Sequence, residues 1–193
     1  MDFELVLERL IAEFSRLEIR YAAIGGFALG VLGTPRQTMD LDFLVSREDL
    51  EKLDGVLSQL GYTLAFRSEN VSQYSHSEPA WGGLDFIHAF RKVSLGMLDR
   101  AQDLPVLGGK SNLKTAQPED VIGLKIQAMS NDPQRRAQDQ RDIEGLMDRY
   151  GSQLDWNRIV DYYDAFGFAD EGKTLREKFG HAKRRRKTRI ARD

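Results

Sequence analysis

Two aspartates, Asp40 and Asp42, sit in the apolar run TMDLDFLV, residues 38–45. Met39, Leu41, Phe43, Leu44 and Val45 give that run the composition of a buried strand. Side chains alternate faces along a strand, so the two carboxylates point the same way, about 7 Å apart. Covering two like charges side by side is costly unless a cation neutralises them. A third acid, Asp85, stands in a second apolar run, GGLDFIHAF. Upstream, Gly25 and Gly26 separate the strand-like IRYAAI from the helix-like FALGVLG. A glycine pair at a helix start lets backbone amides approach a phosphate closely. Two aspartates on one strand face, with a third acid from a neighbouring strand, can hold two divalent ions about 4 Å apart. Such ions would neutralise the carboxylates, polarise a triphosphate and lower the pKa of an attacking hydroxyl. The residue set points to Mg2+, with Mn2+ as the alternative ion, and to a nucleoside triphosphate as substrate.

Other chemistries of two spaced aspartates fit less well. A haloacid-dehalogenase phosphatase needs threonine two residues after the second aspartate, where Leu44 stands. An EF-hand loop needs a further oxygen ligand and a glycine, which DLDFLV lacks. A metal-dependent glycosyltransferase has no need of the preceding glycine pair. The structural alternative is a pair of edge-strand acids neutralised by Arg36 or Arg67. Asp99, in MLDRA, competes with Asp85 as the third acid, and a local turn cap is its simpler reading. His76, His88 and His181 are scattered without ligand spacing.

The elements that must position these residues are legible in part. Phe3, Leu7, Leu10, Ile11 and Phe14 recur at helical spacing, which predicts an amphipathic helix over 2–17. Ser46 is expected to cap a helix reaching about Leu60, with Asp49 as the capping-box acid. GYTLAFRS and VSQYSHS read as two strands joined by a polar turn, and further β structure is expected at LPVLGG and SNLKTA. From Pro118 the character turns helical, with further helices over about 135–150, 155–166 and 170–180. The organisation is therefore an α/β core over 1–117, a helical part over 118–182 packed on it, and a tail over 183–193.

The 193 residues are 41% hydrophobic, enough for a core, and contain no cysteine, which excludes disulfides, thiolate metal sites and cysteine nucleophiles. No apolar run approaches the length of a membrane span, and the acidic start MDFELVLERL lacks a signal peptide's basic region, so a cytoplasmic chain is expected. The net charge of −2 hides an asymmetry: residues 183–193, KRRRKTRIARD, carry seven basic side chains and one acidic one. A terminal run of like charge is ordinarily disordered and solvated, and it can also steer a nucleic-acid acceptor.

The stretch IGGFALGVLGTPRQTMDLDFLV, residues 24–45, resembles the signature of the nucleotidyltransferase superfamily that includes DNA polymerase β. It is most similar to the minimal bacterial branch of abortive-infection and toxin–antitoxin systems. That branch's Arg-x-Thr-x-Asp-x-Asp pattern is matched by Arg36, Thr38, Asp40 and Asp42, and its downstream lysine helix by PEDVIGLK with Lys125. A further Asp-x-x-Asp helix is matched by Asp139 and Asp142, expected to orient Lys125 or an arginine. The resemblance implies an α+β fold, a palm-like mixed sheet with flanking helices followed by a helical part. It implies that Asp40 and Asp42 bind both metal ions and that Asp85 completes the set and accepts the proton of the attacking hydroxyl. Gly25 and Gly26 would meet the β- and γ-phosphates, with Thr38 beside them. Lys125 would reach the triphosphate as a point charge, as would Arg36 unless it clamps Asp40. The activity implied is transfer of a nucleoside monophosphate to a tRNA 3′ end or a protein hydroxyl, with an antitoxin protein as partner. Position 26 departs from many active relatives, which carry serine there. A weakly active or inactive nucleotide-binding or protein-interaction module with the same fold is the alternative.

Overall fold

The computed structural model describes residues 1–180, which divide into two compact units, Met1–Gln117 and the helical unit that begins at Pro118. In the first unit the elements run α1 (Phe3–Arg16), β1 (Tyr21–Ile24), α2 (Gly25–Val31), β2 (Leu41–Ser46) and α3 (Leu50–Gln59). They continue with β3 (Tyr62–Arg67), β4 (Val71–His76), β5 (Leu84–Ala89), α4 (Lys92–Asp99), β6 (Gln102–Val106) and β7 (Ser111–Thr115). The strands form one mixed seven-stranded sheet in the order β3-β4-β5-β2-β1-β7-β6.

One face of the sheet carries the main core. α1, started by Asp2, whose carboxylate accepts from the Leu5 amide at 3.1 Å, buries Val6, Leu7, Leu10 and Phe14. These pack with Tyr21, Phe43 and Phe86 of the sheet and Leu53 and Leu57 of α3. Phe43 and Phe86 stack at 5.5 Å on neighbouring strands, and Phe14 meets Phe43 edge-on at 5.9 Å. Strand alternation then sends Asp42 and Asp85 to the opposite face.

Three local expectations change. β2 begins at Leu41, so Asp40 lies in the bend before the strand and Met39 is exposed. Ser46 caps nothing: it ends β2, buried, and its hydroxyl finds no hydrogen-bond partner among the described residues. Asp49 instead accepts from the Arg20 amide at 3.0 Å and pairs with Lys52, tying the turn after β2 to the chain entering β1. The segment Lys92–Asp99 is helical, where the sequence reading placed only a turn at Asp99. Its Met97 and Leu98 are buried, and that gain favours the helix over a turn.

The second unit consists of α5 (Pro118–Asn131), α6 (Arg136–Tyr150), α7 (Trp156–Ala165) and α8 (Ala169–Phe179). Pro118 occupies the first turn of α5, where its missing N–H costs nothing. Gly123 of α5 lies against the Tyr162 ring of α7, and the Tyr162 hydroxyl donates to Asp120 at 2.7 Å. Trp156 anchors the start of α7 by donating its indole N–H to the Gly151 carbonyl at 2.9 Å. The basic tail, residues 183–193, and His181 lie outside the described residues. No helix among the described residues is long and apolar enough to cross a membrane.

Candidate active site

The sheet's topology gathers the acids at one end of its central strands. β2 and β5 run parallel, with Asp42 opposite Asp85, each the second residue of its strand. β1 runs antiparallel to β2, so its last residue, Ile24, faces Asp42, and the chain leaves the sheet through Gly25 at that same end. Neighbouring strands lie about 4.8 Å apart, which sets the scale of separation between the Asp42 and Asp85 backbones. Asp40, in the bend before β2, touches Gly83 just upstream of β5: a Cβ on Gly83 would lie 3.2 Å from the Asp40 Oδ1.

Burial and crowding raise the proton affinity of these carboxyls. Asp42, half-buried, is pushed up to about 6, first by loss of solvent and then by the Asp85 charge, with Asp40 adding to both. The Gly26 amide, which donates to Asp42, and the Arg36 guanidinium act in the other direction. Asp85 is also raised, first by loss of solvent and further by Asp40, against a hydrogen bond from the Gln73 side chain. Gln73 is the register partner of Asp85 on β4, a residue that sequence spacing could not single out. Only knowledge of the strand register would have found it.

The glycines fit this end of the sheet for different reasons. Gly25 holds φ +65°, a left-handed conformation, and any Cβ there would overlap the Asp42 carboxylate. At Gly26 a Cβ would lie 2.7 Å from the Thr38 Oγ1, 2.8 Å from its Cβ and 3.2 Å from an Arg36 guanidinium nitrogen. The space a serine would use is therefore filled by Thr38, whose hydroxyl donates to the Asp40 carbonyl at 3.2 Å. Arg36 donates to the Gln37 carbonyl at 3.1 Å. The structure thus brings Gly25, Gly26, Arg36, Thr38, Asp40, Asp42 and Asp85 to one neighbourhood.

The other sequence-selected residues have partners of their own. Lys125, in the helical unit, is buried and donates to Asp139 at 2.9 Å and to Asp142 at 2.6 Å. Arg135 adds a contact to Asp139 at 3.4 Å, and Gln138 donates to Asp142 at 3.0 Å. Asp99, at the end of α4, pairs with Arg20 at 2.8 Å. Arg67 is bound to Asp54 at 2.6 Å. His88 is buried between the Glu69 carbonyl and the Ser72 hydroxyl, each 3.0 Å away.

The donor set suits a hard cation. All three acids offer carboxylate oxygens, and repulsion between Asp42 and its neighbours is what a bound cation would relieve. Among the described residues no three acidic, histidine or cysteine side chains are gathered into a ready coordination shell. Mg2+ does not require one, because it commonly binds through one or two carboxylates, waters and substrate phosphates.

Comparisons with known proteins bear on the family and the fold. Residues 3–171 match the model of a family described as an uncharacterised nucleotidyltransferase. No curated protein sequence matches significantly. Solved structures with a similar fold include the antibiotic-resistance factor ANT(2″)-Ia, with a TM-score of 0.65 at 15% identity over 94% of this chain and 100% of that one. An antigenic nucleotidyltransferase-like protein from Paracoccidioides brasiliensis gives 0.57 at 17% identity over 95% and 94%. The lincosamide antibiotic adenylyltransferase LnuA, with lincomycin bound, gives 0.50 at 15% identity over 74% and 95%. The mixed sheet with its glycine turn and register-paired acids is a nucleotidyltransferase fold, and with the family match over most of its length the chain belongs to that nucleotidyltransferase family.

Proposed function

We propose that this chain transfers a nucleoside monophosphate from a nucleoside triphosphate, with Mg2+, to a hydroxyl of a tRNA 3′ end or of a protein. The observation that carries the reading is the register pairing of Asp42 with Asp85 at the end of the central strands where Gly25 and Gly26 begin α2. Asp40, Asp42 and Asp85 are the residues that would hold Mg2+, which when bound supplies charge neutralisation and polarises the phosphates. Gly25 and Gly26 allow close approach of the backbone, and Arg36 and Thr38, packed on Gly26, face the same space and bind the phosphates beyond the reacting one. Asp85, whose proton affinity is raised by loss of solvent and by the neighbouring Asp40, takes the hydroxyl proton as the oxygen attacks the α-phosphorus. The P–O bond to the β-phosphate breaks and pyrophosphate leaves in line. Lys125 is assigned to the triphosphate by the resemblance alone; its two carboxylate partners support a positioning role within the helical unit. The pattern of Arg36, Thr38, Asp40 and Asp42 supports a toxin setting with an antitoxin partner.

A second acceptor class is favoured by the neighbours. One is captured with adenylyl-2″-tobramycin and another with lincomycin, so a small-molecule hydroxyl is the competing acceptor. The test incubates the protein and Mg2+ with each labelled triphosphate and, separately, total RNA, cell lysate protein, tobramycin or lincomycin. Label entering RNA or protein supports the proposal, and label entering only the antibiotics moves the acceptor to small molecules. Nucleotide binding without transfer to any of them would favour the inactive binding module.

A further inference from the structure

A cavity of about 560 Å3 opens beside the phosphate side of the site, within the first unit. Gly26, Arg36 and Thr38 are among its lining residues, and Phe3, Phe27 and Leu107 add apolar surface to the same lining. The Phe3 and Phe27 rings lie 5.2 Å apart with planes tilted by 30°. Leu107, at the tip of the β6–β7 hairpin, holds a left-handed φ of 53°, uncommon for a residue with a branched side chain. Backbone strain of this kind persists where the surrounding structure holds it, often at ligand clamps. The size suits a small organic group, and a lining that combines the Arg36 cation with apolar side chains suits an amphiphile with an anionic end.

In-line displacement decides which amphiphile. The attacking hydroxyl and the departing phosphate stand on opposite sides of the α-phosphorus. If Arg36 and Thr38 bind the phosphates beyond the α-phosphate, the cavity they line lies on the leaving-group side, and an acceptor seated there could not attack. Pyrophosphate itself has no apolar surface to bury against Phe3, Phe27 and Leu107. We infer that this cavity receives an aromatic group carried on the terminal phosphate of the donor, so that the chain accepts nucleoside polyphosphates substituted at that end. A second nucleoside joined through the phosphate chain belongs to this class. The step balances as before: the acceptor oxygen bonds to the α-phosphorus, its proton passes to Asp85, and the substituted diphosphate leaves with the electron pair of the broken P–O bond. The inference rests on the phosphate placement in the proposed function.

Gly30 supplies a clean test, because it lines the cavity, is exposed on α2, and a Cβ added there meets nothing within 4 Å. Gly30→Phe therefore adds a ring at the cavity's lining with no clash at Cβ, and Gly30→Ala serves as the folding control. Affinity is measured with Mg2+ for ATP and for ATP esterified on the γ-phosphate with a naphthyl group, and likewise for the other three nucleotides. The ester should bind the parent and Gly30→Ala at least about tenfold more tightly than the plain nucleotide, as burial of an aryl ring predicts. Gly30→Phe should lose that gain and keep the plain affinity. Equal or weaker binding of the ester by the parent, or a gain that survives Gly30→Phe, would overturn the inference and leave nucleotidyl transfer standing. Failure of every plain nucleotide to bind would remove both.

Discussion

Replacing Asp42 by asparagine should stabilise the ligand-free protein and abolish its response to nucleotide. The carboxyl's rise from 3.8 to about 6 corresponds to roughly 3 kcal/mol at about 1.36 kcal/mol per pH unit. The sign follows from linkage: the folded protein binds this proton more tightly than the unfolded chain. The stability it contributes is complete below pH 3.8 and is lost as pH rises through about 6. Above pH 7 the ionised Asp42 is therefore a standing cost in the metal-free protein. Asparagine keeps an oxygen to accept from the Gly26 amide but carries no charge. The gain in unfolding free energy should approach roughly 3 kcal/mol at pH 8 and fall to about half of that at pH 5, where the parental carboxyl is largely protonated. The assay is urea denaturation of both proteins at the two pH values, paired with melting curves with and without Mg2+ and ATP. Parental stability should rise on adding the ligands and the variant's should not, since a ligand stabilises only by binding the folded form. Nucleotidyl transfer should fall by at least about 100-fold, or roughly 3 kcal/mol. An Asp42→Asn protein less stable than the parent by the same amount at both pH values would refute the reasoning. Asp42 would then be a structural acceptor for Gly26 and Arg36.

Gly25→Ala should cost about 1–2 kcal/mol from its left-handed φ alone, and more from overlap with Asp42, and should remove the nucleotide-induced rise in melting temperature. A variant melting like the parent with its nucleotide response intact would contradict the close packing at that turn. Lys125→Met orphans two buried carboxylates and should cost roughly 3–5 kcal/mol in denaturant unfolding, most of it recovered when Asp139 and Asp142 are also neutralised. A Lys125→Met protein of parental stability would show that the pair is not holding the helical unit. Deleting residues 183–193 should leave the melting temperature unchanged and, for an RNA acceptor, weaken binding and flatten its dependence on salt. RNA affinity unaltered at low salt would leave the tail without a role in binding.

Much of this architecture is written locally. The helical spacing of Phe3, Leu7, Leu10 and Phe14 places α1, and the change of character at Pro118 marks where the helices take over, because each depends only on neighbours within a turn or two. The aspartate pair and the glycines before α2 are likewise visible as residue types out of keeping with their flanks. Asp40 and Asp42 looked like two positions of one strand, yet the chain enters β2 only at Leu41, since pairing with β5 starts there. Ser46 carried a capping signal that the sheet overrode by extending β2 through it. Lys92–Asp99 gave too short and weak a pattern to announce a helix until Met97 and Leu98 had a surface to cover. Which acid joins Asp42 was a matter of register: Asp85 is its cross-strand partner and Asp99 is drawn to Arg20, and no spacing along the chain distinguishes them. The filling of the space at Gly26 by Thr38, the hydrogen bond from Gln73 to Asp85, and the cavity that Arg36 lines have the same origin. Residue type and periodicity act over a few residues and fix what a segment can be. Contact across strands depends on how the sheet packs as a whole, and only folding decides it.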